Sequence, residues 1–196
     1  GHSWASVSDG DRGVAFLSTP GLFGYRKAEG AFQHIILKTI GPGYQAGTRW
    51  GNRNRTGLGC QEMQFAILPH AGDWTRAAIY REVELYRQPL DGVDVLFPIA
   101  GDAPDTQRGL AIAPATAMVS AYYQDRGQTF LRVYENAGDA TRATVELPFA
   151  PAGATRCNML GEPMDDAREI ALAGNTLSLD LGAWEIATVR IERGDA

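Results

Sequence analysis

The stretch Gln64-Phe65-Ala66-Ile67-Leu68-Pro69-His70-Ala71-Gly72-Asp73-Trp74, running on through Arg81-Glu82 to Arg87-Gln88-Pro89-Leu90, decides how this chain is read. Glu62 to Leu68 alternates and then runs apolar over a strand's length. Asp73 then stands where its carboxylate can accept from the free backbone N–H groups of a first helical turn. Ala78, Ile79, Val83 and Tyr86 recur on one face of a helix expected over residues 74–87. Pro89 stops it, because proline has no N–H to donate to the next turn. His70 to Trp74 is therefore expected to be a strand-to-helix corner.

Outward from this corner, short segments of strand length dominate. Val14 to Leu17, Phe32 to Lys38, Thr116 to Tyr123, Thr129 to Asn136, Thr141 to Leu147, Thr155 to Leu160, Leu177 to Leu181 and Trp184 to Ile191 alternate or run apolar. Gly41-Pro42-Gly43 and Asn136-Ala137-Gly138-Asp139 punctuate them. The chain is thus expected to be mainly antiparallel β with one short helix. Pro98 to Asp105 has no periodicity and reads as a linker, so a boundary is expected near residues 100–112. Residues 1–105 would form the first domain and 113–196 a small terminal β-sandwich, its strands spaced by about ten residues.

At 196 residues, 44% of them hydrophobic and 21% charged, the chain has the composition of a globular protein with a sizeable core. Its longest apolar run falls short of a membrane span. The net charge of −5 and scattered arginines argue against a nucleic-acid partner. Arg49-Trp50-Gly51-Asn52-Arg53-Asn54-Arg55 mixes guanidinium groups with an indole that could stack a base or a sugar ring; the plainer reading is a solvated loop. Cys60 and Cys157 lie far apart, with neither metal nor disulfide spacing. Both are expected to be buried small side chains, and a reduced, cytoplasmic setting fits them. No signal peptide opens the chain, but Gly1-His2-Ser3 can be a cloning remnant, so that observation carries no weight.

The segment from Ala66 to Trp74, with its Pro-His-x-Gly-x-Trp order and the helix ending near Pro89-Leu90, closely resembles the C-terminal half of family 38 glycoside hydrolases, the α-mannosidases. Thr129 to Gly138 resembles that family's Leu-Arg-x-Tyr-Glu-x-x-Gly strand and turn, and Leu181 to Ile191 its closing strand. With Gly24-Tyr25 upstream, the resemblance runs from about Gly13 to Ile191. It implies that residues 1–105 are the end of a mutarotase-like β-supersandwich and that an Ig-like sandwich follows. It also implies that the catalytic domain, with its zinc and aspartate nucleophile, lies upstream in the same polypeptide and is the partner of this portion.

No catalytic constellation is legible in the chain itself. A glycosidase needs two carboxylates ~5–9 Å apart. The pairs Asp91/Asp94, Asp165/Asp166 and Glu82/Glu84 read as solvated charges in turns or on different sides of a helix. His2, His34 and His70 have no metal-ligand spacing, so neither metal nor cofactor is expected here. Gly-x-Ser-x-Gly is absent, and Gly41-x-Gly43 and Gly57-x-Gly59 lack the Lys and helix of a phosphate loop.

The resemblance makes Lys38 and the loop from Arg53 through Arg55 to Gly59 candidates for bordering the cleft that receives a mannose-containing oligosaccharide. Relatives often carry an acidic residue before the Gly leading into the next strand, and Asn52 to Gly59 does not. His70 and Trp74 are candidates too, each with a structural reading beside it: a histidine bonded at the corner, an indole anchoring the helix. Two readings of another class stand alongside. One is a free-standing carbohydrate-binding module using Trp50 and Trp74; the other is a purely structural interaction domain. If the chain is the end of a larger sandwich, the strands near Val14–Leu17 and Phe32–Lys38 should present bare edges or apolar faces, inviting a second copy to cover them.

Overall fold

A computed structural model describes residues 3–19, 24–28, 31–35, 60, 62–88, 92, 106, 109–165 and 168–194. The chain divides into two compact units, Gly1–Val93 and Asp94–Ala196. The boundary expected at residues 100–112 lies largely outside the described residues, as do Pro89 and the Pro98 to Asp105 linker.

The first unit holds strands β1 (Trp4–Ser8), β2 (Arg12–Thr19), β3 (Gly24–Ala28), β4 (Ala31–Ile35) and β5 (Gln64–Ala71), then helix α1 (Ile79–Arg87). β3 and β4 pair as an antiparallel hairpin, while β1, β2 and β5 form an antiparallel sheet with β2 in the centre. Register sorts that sheet into two faces. Ala15 pairs with Ser6 and Leu68, and Leu17 with Trp4 and Ala66, so these side chains share one face. Ile79 and Val83 of α1 cover it, with Ala15 and Leu17 buried beneath them. Full burial of a side chain the size of Leu17, Ile79 or Val83 contributes about 1.5–3 kcal/mol.

The opposite face is covered by none of the described elements over most of its area, although Ala5 and Ser18 on it are buried. It carries Val7, Val14 and Ile67 exposed, and Phe65 exposed while stacked on Phe16 at 5.3 Å. Phe65 is 51% and Ile67 68% accessible, well beyond what an isolated surface apolar residue needs to explain it.

The expected helix begins later than the sequence suggests. The Asp73 carboxylate does accept from the Arg76 N–H at 2.9 Å and from the Thr75 hydroxyl at 2.7 Å. That cap closes a turn over Trp74–Ala78 rather than α1 itself. Ala78 adopts φ 50, a left-handed conformation that interrupts the backbone, and α1 starts after it at Ile79. Ile79, Val83 and Tyr86 do face the core, and Tyr80 is buried as well.

The second unit is a sandwich of β6 (Ala111–Ala113), β7 (Ala117–Asp125), β8 (Gln128–Glu135), β9 (Thr141–Glu146), β10 (Pro151–Cys157), β11 (Ile170–Ala173), β12 (Thr176–Leu181) and β13 (Ile186–Arg193). One antiparallel sheet runs β10-β13-β8-β7 and the other β11-β12-β9-β6. Alternation delivers Leu131, Val133 and Val189 from the first sheet and Val145, Leu177 and Leu179 from the second into one fully buried core.

Two expected strands are displaced. β10 ends at Cys157 because the Asn158 carboxamide oxygen accepts from the N–H groups of Leu160 and Glu162, turning the chain where a strand to Leu160 is expected. β13 begins at Ile186, since Trp184 has φ 60 and sits in a turn closed by Glu185 N–H on the Gly182 carbonyl. Cys157 is buried as expected, but Cys60 is exposed: it precedes β5 in irregular backbone and is not in a strand.

Candidate functional site

Within the first unit, the strand-to-helix corner frames an open cleft of about 360 Å³, bordered by His70, Ala71, Arg76, Ile79 and Glu82 among others. Gly72 makes the corner possible: its φ of 73 suits glycine, and its N–H donates to the Asp11 carbonyl at 2.7 Å. The Ser8 hydroxyl donates to the Gly72 carbonyl at 2.8 Å, tying β1 to the same turn.

His70 lies opposite Gly13 in the β2–β5 register and reaches over it to β1. Its Nε2 is 2.8 Å from the Ser6 hydroxyl, while its Nδ1 is buried and unpartnered. A tautomer with the proton on Nε2 donates to Ser6 and leaves only an acceptor unpaired. Serine and histidine here do not make a nucleophilic pair: the position at Nδ1, where a carboxylate would orient the ring, holds no partner. Among the described carboxylates, Glu82 alone borders the cleft, where glycoside hydrolysis requires two.

Trp74 is held among aromatic neighbours, 5.7 Å from Trp4 in a tilted arrangement and 6.3 Å from Tyr80 edge-on. That geometry anchors the turn to the sheet. Lys38, Arg53, Arg55 and Trp50 lie outside the described residues, as do Asp91, Asp94 and Asp166. Among the described residues there is no group of three or more His, Cys, Asp or Glu that could hold a metal ion. No described helix is long and apolar enough to cross a membrane.

Two carboxylates in the second unit have defined jobs that the strand pattern did not announce. Glu135, 2% exposed, accepts from the N–H groups of Ala137 at 2.6 Å, Gly138 at 2.8 Å and Trp184 at 3.0 Å. Burial pushes its pKa up, but the donors from Trp184, Ala137, Gly138 and Asp139 outweigh it and hold the carboxyl below its ordinary range. Glu185 accepts from Arg156 at 3.1 Å, Arg168 at 2.6 Å and the Gly182 N–H at 2.7 Å. Burial again opposes ionisation, and Arg168, Gly182 and Arg156 overcome it, so this carboxyl too sits low. Arg156 also donates to the Asp180 carbonyl. The Glu135 clasp joins the turn after β8 to the turn before β13. The sequence signal for it is an acidic residue directly before the turn Asn136-Ala137-Gly138, whose N–H groups need acceptors.

Fold and site together define a class first: a β-rich protein with an antiparallel sandwich whose turns are clasped by carboxylates. Residues 120–189 match the model of the glycosyl hydrolases family 38 C-terminal beta sandwich domain, and over that span the resemblance read from the sequence holds. Its fold is similar to that of an alpha-mannosidase from Enterococcus faecalis V583, with a TM-score of 0.70 and 18% identity, over 98% of this chain and 21% of that one. A protein in the glycosyl hydrolase family 38 from Enterococcus faecalis gives a TM-score of 0.72 and 19% identity over 97% of this chain and 22% of that one. The chain thus spans about a fifth of the length of these structures. No curated protein sequence matches it.

Proposed function

We propose that this chain is the non-catalytic C-terminal β region of an α-mannosidase, in which a zinc-dependent domain earlier in the same polypeptide hydrolyses terminal α-D-mannosides. The β units support that domain, and Lys38, Arg53 and Arg55 border its substrate cleft. The observation that carries this reading is the apolar face of Val7, Val14, Phe65 and Ile67, which no described element covers. A free-standing module would expose such a face to water at a cost in solubility; a supporting region buries it against its parent. When the chain is alone, a second copy covers the same face.

Side-chain footprinting of Phe65 and Ile67 tests this in the 196-residue chain and in the complete polypeptide. The reading expects strong protection in the complete polypeptide, and in the short chain labelling that falls as concentration rises. Equal labelling of both proteins at every concentration would reject it.

A further inference from the structure

We propose that Trp184 is a preformed platform on which a pyranose ring of a neutral oligosaccharide stacks. Trp184 is 60% exposed, the most accessible aromatic side chain among the large exposed hydrophobic residues described. Exposure alone would be unremarkable, since an indole at a surface is often half wet. What sets it apart is the backbone that presents it. Trp184 adopts φ 60, a conformation that residues with a side chain rarely keep unless the surroundings impose it.

The surroundings here are identifiable. One carboxylate oxygen, Glu135 Oε2, accepts from Trp184 N–H at 3.0 Å and from Gly138 N–H at 2.8 Å. It thereby fixes the turn that carries the indole and the turn that seats it. Gly138 has φ 89, and a Cβ there would come within 2.8 Å of Trp184 Cζ2 and 3.1 Å of Nε1, so the ring rests against bare glycine. Among the described residues, no aromatic ring or cation packs on it. The indole is held from below and left unstacked, so a ligand ring meets a surface whose ordering is already complete.

The flanking groups suit a sugar. Glu185, the next residue, is bridged to Arg168 at 2.6 Å, and Asp139 is exposed beside the seating glycine. Charged donors and acceptors around an aromatic body hydrogen-bond ring hydroxyls while the indole takes the C–H face. Trp74, held between Trp4 and Tyr80, offers no such surface. The platform does not depend on the proposed parent activity; that reading only suggests mannosides as the first probe.

The test is a titration of the intact chain, labelled at the indole nitrogen, with α-mannotriose and in parallel with cellotriose, each followed by the indole N–H resonances. A single platform binds a ring on the order of millimolar. The expected result is a saturable shift of the Trp184 signal with either sugar, Trp4 and Trp74 unmoved. Trp184→Phe, which keeps an aromatic surface, serves to assign the signal and should retain weaker sugar-induced shifts in neighbouring backbone amides; Trp184→Ala should lose them. No Trp184 shift with either sugar, or broadening that follows protein concentration without sugar and marks a protein-docking surface, would overturn the proposal. Because no hydrolysis is measured, failure here leaves the parent-enzyme reading standing, and failure of that reading leaves the platform standing.

Discussion

Glu135 and the His70–Gly13 contact show how much of this structure hangs on single side chains. A Cβ at Gly13 would lie 2.7 Å from both the His70 Nε2 and the Val7 carbonyl, so Gly13→Ala should destabilise the first unit by about 2 kcal/mol through overpacking. In a double-mutant cycle, His70→Ala should recover part of that loss and not all of it, because the Val7 carbonyl remains. Thermal melts of the four proteins measure this. For Glu135, the folded carboxyl lies below its ordinary value of 4.5, so the unfolded chain binds the proton more readily. Its contribution is complete above that ordinary value and is lost as pH falls through the depressed folded one. Glu135→Gln puts an amide where buried N–H groups need an acceptor and should cost about 2–4 kcal/mol near pH 7. Urea midpoints taken from pH 7 down to 3 should show the wild type losing stability in the acid range and the variant losing less, with Glu185 supplying a residual slope in both.

At the scale of elements, what was legible followed periodicity. β8, β9 and β12 lie within a residue or so of their expected bounds, since alternation of buried and exposed side chains writes itself into the sequence. The ends of β10 and the start of β13 were not legible, because local polar chemistry at Asn158 and the left-handed backbone at Trp184 override an apolar pattern. The corner before α1 shows the same competition. Asp73 was recognisable as a cap, yet nothing in Ala78 announces φ 50, which the packing of Trp74 against Trp4 and Tyr80 accompanies. Of the site, the corner itself was legible, but Trp184 was hidden inside what looked like strand. Glycine accepts φ 50 without the Cβ penalty, so Ala78→Gly should stabilise the chain by about 0.5–1 kcal/mol, read as a rise in Tm. A fall would show that the alanine methyl packs more than it strains.

For the whole molecule, the two units contrast. The sandwich of residues in the second unit closes on its own core, with both sheets contributing side chains fully removed from water. The β1-β2-β5 sheet of the first unit buries one face under α1 and leaves Val7, Val14, Phe65 and Ile67 of the other exposed. The chain spans about a fifth of the length of the structures that share its fold, and on the proposed reading the rest of such a polypeptide would cover this face. The account therefore assigns chemistry to another part of the polypeptide and support to this one. The most direct measurement is hydrolysis of an aryl α-mannoside by the 196-residue chain and by the complete polypeptide, each with and without added zinc. The account predicts turnover by the complete polypeptide, dependent on zinc, and none by the chain alone. Turnover by the short chain would contradict it, by revealing a catalytic site within these β units.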